Sequence, residues 1–277
     1  IRDIIELQKR EVETLLKEEY IKRTGPNIDL SNSLIKVITG PRRAGKSFFS
    51  IYTLSKNNKF GYINFDDEEL TRVKDYNELI SAVNSVYENP KILFFDEIQN
   101  LPRWELFVNR LQRQGYTLVV TGSNSHLLSK ELATHLTGRH SQIIVFPFSF
   151  KEYLNFEKKN LTTSEIKEKL NDYLIFGGYP EPLLKKINYK EYLTTLLNSI
   201  LFKDIVKRYK IRFAQAISDL SEQLLSNIAN EYSYNSLSKI SKIKSTHTVE
   251  KYLNYLEESF IFFSIKRFSY KMKEQIS

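Results

Sequence analysis

The chain has 277 residues, 41% hydrophobic and 27% charged, with a net charge of +8. That composition excludes a disordered chain and leaves room for two domains. It contains no cysteine, which rules out disulfides and thiolate zinc sites and fits a reducing, cytoplasmic setting. The apolar stretch "SFIFFSI" near the end is far short of the ~18 residues a membrane helix needs, so no membrane partner is expected. The chain opens at Ile1 rather than Met, so a targeting segment is not judged from it.

Residues 3–23 place Ile4, Ile5, Gln8, Val12, Leu15, Leu16 and Tyr20 on one helical stripe. Acids and bases around that stripe balance to within one charge. Such a helix packs on its own domain or a neighbour better than on an anionic membrane. "TGPN" at 24–27 breaks it.

From 34 to 146, short apolar runs alternate with helical stretches. Strands are expected at "LIKVIT" (34–39), "FGYINF" (60–65), "KILFF" (91–95), "YTLVVT" (116–121) and "QIIVF" (142–146). Helices fit at 46–56, 76–88, 103–114 and 125–136. Five strands joined by helices predict an α/β fold with a parallel, right-handed crossover sheet.

Residues 150–232 read as helices, interrupted by a turn at "GGYPEP" (177–182), with one helix over 214–231. Shorter helices follow at about 236–243 and 246–258, divided by "KIKST", and "FIFFSIKRFSYKMKEQ" reads as a β-ribbon. Three helices and a ribbon are the order of a winged helix-turn-helix. From Ser236 to Ser277 there are eight basic against four acidic residues.

"GPRRAGKS", Gly40 to Ser47, satisfies G-x-x-x-x-G-K-[ST] with a strand before it and a helix after it. Backbone N–H groups of such a loop converge on phosphate, aided by the helix N-terminus. Gly40, Pro41, Arg42, Arg43, Ala44, Gly45, Lys46, Ser47 and Phe48 are the expected nucleotide contacts. Lys46 would reach the β- and γ-phosphates and Ser47 would hold Mg²⁺. "KILFFDEIQN" supplies a second half: Asp96 ends a strand as a metal ligand, and Glu97 is placed to polarise water. The two motifs, in order on the right elements, predict an ATPase core that uses ATP and Mg²⁺.

At the end of the fourth strand, "TGSNS" offers Thr121, Ser123 and Asn124 as polar contacts to the γ-phosphate or the water, with Ser123 or Asn124 preferred. A solvated turn explains the same residues. Arg139, just before the fifth strand, is either a finger reaching a neighbouring subunit's γ-phosphate or a surface ion pair. "FDDEEL" (65–70) reads as a helix start before it reads as a metal site. His126, His135 and His140 match no metal spacing.

"GPRRAGKS", "FFDEIQNLPRWELFVNRL", "TGSNSHLLS", "LTGRHSQIIVFPFSFKEYL" and "FGGYPEP" together resemble a family of prokaryotic, mainly archaeal, AAA+ ATPases. The opening "EEYIKR" is similar to its archaeal members. The resemblance implies a sheet ordered 5-1-4-3-2, a helical lid and a winged helix. Expected boundaries are an N-terminal helix (1–24), an AAA+ P-loop domain (25–150), a lid (151–211) and a winged helix-turn-helix (212–277). It also favours Arg139 as a finger, hence a homo-oligomer. Members usually continue past "YKMKEQIS" into a nuclease-like domain, so a fragment is expected.

Two uses of the nucleotide remain open. One is DNA binding or remodelling: Thr246, His247, Thr248 and Lys251 would lie nearest the major groove, with Lys266, Arg267, Lys271 and Lys273 on phosphates from the wing. The other is a nucleotide-controlled switch or remodeller of proteins. Tyr252, Tyr255 and Leu256 suit a helix that packs within its own protein.

Overall fold

Short runs rich in Ile, Val, Leu and Phe form the sheet in this computed structural model, which describes residues 1–56, 59–122, 136, 138–156, 160–185, 187–265, 268 and 270. The strands are β1 (Ile35–Thr39), β2 (Phe60–Asn64), β3 (Ile92–Asp96), β4 (Thr117–Thr121) and β5 (His140–Ile144). They lie in the order β2-β3-β4-β1-β5, all parallel. β1 is buried along its whole length, as befits a strand in a parallel sheet covered on both faces.

Alternation of side chains across each strand builds two apolar layers. Val37, Phe95 and Val120 join one with Leu79 and Val83 of α4 (Tyr76–Tyr87) and with Trp104, Phe107 and Val108 of α5 (Trp104–Arg113). Ile38, Phe94 and Val119 join the other with Phe49, Ile51 and Leu54 of α2 (Lys46–Ser55).

β2 is an edge strand, and α1 (Arg2–Leu15) covers it. Ile5 packs into the first layer and Val12 into the second, so the helix crosses the sheet edge. Between them, Gln8 accepts from the Asn64 N–H at 2.9 Å and donates to the Asn64 carbonyl at 3.0 Å. An amide side chain thereby satisfies edge groups that would otherwise invite another strand. The expected helix over 3–23 ends at Leu15. Tyr20 leaves the stripe and stacks on Tyr52 of α2, ring centroids 3.5 Å apart, so tertiary packing overrides the local period.

Other corrections are local. β5 forms two residues earlier than "QIIVF" suggests, although the Val145 N–H still donates to the Thr39 carbonyl at 2.8 Å. After α6 (Phe150–Phe156) comes α7 (Thr163–Phe176), opened by a capping box between Thr162 and Glu165. In "GGYPEP" the break is confined to Gly177, Gly178 and Tyr179; Pro180 opens α8 (Pro180–Lys185), because its fixed φ and missing N–H suit a first helical position. α9 (Tyr189–Ser199) leads into a π-helical stretch, Ile200–Val206. The helix expected over 125–136 lies outside the described residues except for Leu136, which is buried.

The chain packs as two compact units, Ile1–Tyr192 and Leu193–Ser277. The second contains α10 (Ala214–Ser226), α11 (Tyr234–Ile240) and α12 (Thr246–Glu258). Its core joins Leu201, Ile205, Ile217, Leu220, Leu237, Val249, Leu253 and Leu256. Helix α10 stops five residues short of the expected 214–231. Of the expected ribbon, described residues 261–265 form no strand, and 266, 267, 269 and 271–277 lie outside the described residues.

Candidate functional site

Because all five strands are parallel, the segments after β1, β3 and β4 emerge at the same carboxyl rim, where open α/β sheets hold ligands. Register sets the heights: Ile38 lies beside Thr121, Phe95 beside Val120 and Asn64 beside Asp96. Asp96 and Thr121 therefore end adjacent strands level with the start of the Gly40–Ser47 loop.

The loop has the backbone its glycines allow. Gly40 (φ 141°) and Gly45 (φ 87°) lie in the region that disfavours side chains. A Cβ at Gly40 would stand 2.1 Å from the Val145 carbonyl oxygen, so only glycine fits. Gly45 caps α2, and Lys46 begins it. The buried Lys46 ammonium donates to the carbonyls of Pro41 (2.8 Å) and Gly40 (3.1 Å). An ammonium folded on its own loop's carbonyls can exchange those acceptors for phosphate oxygens with little desolvation.

Asp96 is the hub. Its Oδ1 accepts from Ser47 Oγ at 3.0 Å and from Thr121 Oγ1, and its Oδ2 accepts from Tyr62 OH at 3.1 Å. Thr121 Oγ1 in turn accepts from the Glu97 N–H at 3.2 Å, tying both strand ends together. Complete burial, then the neighbouring Glu97 charge, push the Asp96 carboxyl up to about 6 despite the three hydroxyl donors. Burial, then the charge of Asp96, hold Tyr62 as a phenol, far above its ordinary value. A buried carboxylate that is costly to ionise, touching a loop hydroxyl, fits a divalent cation: the cation would supply the charge that burial removes.

Glu97 follows with φ 50° and ψ 44°, a left-handed conformation that is unfavourable for a residue with a side chain. Gln99 donates its Nε2 to Glu97 Oε2. Across the rim, Asn100 donates to Asp66 Oδ1 at 2.8 Å. Partial desolvation and the Glu97 charge raise Asp66 above its ordinary value. The acidic run splits its duties: Asp67 caps α3 (Glu68–Thr71) by accepting from the Glu69 N–H, while Asp66 turns toward Asn100.

Of the remaining loop residues, Arg43 pairs with Glu181 of α8 and lies 5.9 Å from the Tyr192 ring centroid. Phe48 meets Tyr20 edge-on at 5.7 Å. Pro41 and Ala44 are buried, and Arg42 is half-buried. Ser123 and Asn124 lie outside the described residues. Arg139 is exposed and stands at the opposite rim: its carbonyl accepts from the Ile35 N–H at 2.9 Å, where β1 begins. The length of β1, roughly 15 Å at ~3.3 Å per residue, separates it from its own loop.

Sequence reasoning missed Tyr62 and Gln99 as partners of Asp96 and Glu97 and Asn100 as the partner of Asp66, and it preferred Ser123 or Asn124 to Thr121. The available signal was a phenol in the middle of the mostly apolar strand "FGYINF", since a buried hydroxyl needs a partner.

In the second unit, Val249, Leu253 and Leu256 of α12 face the core, while Thr246, His247 and Lys251 are exposed and Thr248 is half-exposed. His247 Nδ1 lies 3.5 Å from Glu250 Oε2. Tyr255 stacks on Tyr209, centroids 3.5 Å apart. Lys266, Arg267, Lys271 and Lys273 lie outside the described residues. Among the described residues no three His, Cys, Asp or Glu gather as a metal site, and no helix is long and apolar enough to cross a membrane.

A phosphate-type loop and an acidic strand end meet at one rim of the five-stranded parallel sheet, and residues 32–154 match the family model described as an AAA domain. Residues 167–277 match a domain of unknown function. An uncharacterised protein of Methanocaldococcus jannaschii is 39% identical over 263 residues, which are 89% of this chain and 59% of that protein. One from Haemophilus influenzae is 31% identical over 255 residues, 86% of this chain and 64% of that protein. The chain thus spans about three fifths of the length of these relatives. AMPPCP-bound DnaA from Aquifex aeolicus aligns over 92% of this chain and 88% of its own at 12% identity and a TM-score of 0.34, a likeness too remote to bear on function.

Proposed function

We propose that the chain is the ATP-hydrolysing module of a larger AAA+ protein. The observation that carries this reading is the convergence of Lys46, Ser47, Asp96 and Glu97 at one rim of the sheet. Backbone N–H groups of Gly40–Ser47 would hold the phosphates of ATP or ADP, and Lys46 would leave its loop carbonyls for the β- and γ-oxygens. Ser47 and Asp96 would hold Mg²⁺, which when bound offsets charge on the β- and γ-oxygens. Glu97 would orient the attacking water and accept its proton. Thr121 holds the Glu97 backbone in place for that role, and Ser123 or Asn124, just beyond it, would touch the γ-phosphate.

Arg139 stands at the far rim from its own loop, so any nucleotide it contacts would belong to a second subunit. This supports its role as a finger in a homo-oligomer.

For the second unit we propose a helix-turn-helix that binds DNA, with Thr246, His247, Thr248 and Lys251 toward the groove and Lys266, Arg267, Lys271 and Lys273 toward phosphates, as a wing would place them. Support comes from α12, which turns its apolar side inward and leaves Lys251 and its first turn exposed. A second reading, contact with protein, is favoured by exposed apolar side chains in the same unit: Phe213 is 76% exposed, Ile228 68% and Phe263 64%.

The deciding experiment is calorimetry with Mg-ATP, followed by turnover with and without duplex and single-stranded DNA. No heat on adding Mg-ATP would falsify the ATPase reading. Turnover that ignores every DNA form at low salt favours the protein-directed one.

A further inference from the structure

Arg23 ends the "EEYIKR" segment and lies outside the phosphate loop and the acidic strand end, yet its side chain is only 5% exposed. Its Nη2 donates to the Ala44 carbonyl at 2.5 Å and its Nη1 to the Phe146 carbonyl at 2.9 Å. Nη1 also lies 3.6 Å from Glu152 Oε2, and the guanidinium sits 4.2 Å from the centroid of the Phe148 ring. Desolvation lowers the pKa of Arg23 and the Glu152 charge opposes that shift; an arginine remains charged in either case. Glu152 is itself held, accepting from the Thr24 N–H at 2.6 Å and the Ser149 N–H at 2.8 Å. One planar, forked cation thus joins three separate segments.

The contact with Ala44 has a directional consequence. In a planar trans peptide the C=O and the following N–H point opposite ways. Holding the Ala44 carbonyl toward Arg23 therefore turns the Gly45 N–H away from Arg23. Gly45 is the residue whose φ of 87° starts α2, and helix-start N–H groups are the ones that meet an anion. A peptide flip here would present a carbonyl oxygen to a phosphate instead.

We propose that Arg23 is a positioning residue: it locks the Ala44–Gly45 peptide so that the Gly45 N–H faces the phosphates of the nucleotide. The inference rests on the nucleotide reading above and deepens it. Lysine in its place keeps the charge beside Glu152, but a single ammonium does not reproduce a fork shared between two backbone carbonyls.

The test compares wild type, Arg23→Lys and Arg23→Met in the full 277-residue chain. Three quantities are measured: unfolding temperature, Mg-ADP and Mg-ATP affinity by calorimetry, and amide exchange over residues 40–47 without nucleotide. The expected result is an Arg23→Lys protein that unfolds near the wild-type temperature, exchanges its loop amides faster, and binds both nucleotides at least tenfold more weakly. Wild-type loop exchange and wild-type affinity in folded Arg23→Lys or Arg23→Met would overturn the proposal. If Arg23→Met does not fold, the paired Arg23→Met, Glu152→Met protein removes both buried charges together, and the same two readouts apply. Loop exchange accelerated by Arg23→Lys, with no nucleotide binding by wild type, would sink the ATPase reading and the phosphate role with it while leaving the lock on the loop intact.

Discussion

Asp96 concentrates the chemistry of the site in one carboxyl group. Its folded value, near 6, lies above the ordinary 3.8, so the native state binds a proton more readily than the unfolded chain between those values. Its contribution to stability is fully present below the ordinary value and is lost as pH rises through about 6. Asp96→Asn should flatten this part of the stability profile and, without Mg²⁺, unfold at a higher temperature than wild type above that pH. Thermal unfolding across pH checks it. Mg²⁺ should stabilise wild type increasingly as Asp96 ionises and should do nothing for the variant. Glu97→Gln, by contrast, should leave Mg-ATP binding near wild type and slow turnover on the order of 10²–10⁴-fold, the range for losing a positioned base. Unchanged turnover refutes that role. Lys46→Ala should abolish tight nucleotide binding, read by calorimetry. Gly40→Ala should destabilise by more than the ~1–3 kcal/mol of a strained backbone residue, because its Cβ also collides with the Val145 carbonyl.

Elements bring these residues together. The β1 segment carries the Gly40–Ser47 loop at its carboxyl end and lies beside Arg139 at its amino end, so one strand separates the nucleotide site proposed for a subunit from the group proposed to complete its neighbour's. Arg139→Ala should lose on the order of 10³-fold or more in turnover while keeping ATP affinity. Mixing it with Lys46→Ala protein should restore turnover, since each supplies what the other lacks. Failure of that rescue argues for an arginine with a local role. The helical segment after the sheet is tied to the loop in the same unit: Glu181 pairs with Arg43, and the Phe148 N–H donates to the Gly178 carbonyl at 2.7 Å. Gly178 has no room for a side chain, since a Cβ would stand 2.0 Å from the Phe148 carbonyl oxygen.

At the scale of the whole molecule, the question is what the second unit would do with the nucleotide cycle proposed for the first. If it grips DNA through lysines, binding must fall steeply with salt. Lys251→Ala should then weaken binding across all sequences and lower the salt slope by about 1, measured by titration at several salt concentrations. A flat salt response points to the exposed Phe213 and Ile228 as a protein-facing surface.

The sequence by itself determined the parallel α/β core, the loop at Gly40–Ser47 and the acidic pair at Asp96–Glu97, because buried parallel strands are continuous apolar runs and phosphate loops need glycines at fixed spacing. The range of α12 was likewise legible, since Val249, Leu253 and Leu256 keep helical period. Only the tertiary structure decided that Tyr62 and Thr121 hold Asp96, that Gln8 closes the β2 edge, and that Arg23 braces the loop. Each of these pairs residues 21 or more positions apart or depends on strand register, neither of which local periodicity encodes. Arg23 differs least from an ordinary surface arginine as a letter in "EEYIKR". Its role is created by the three segments that fold around it.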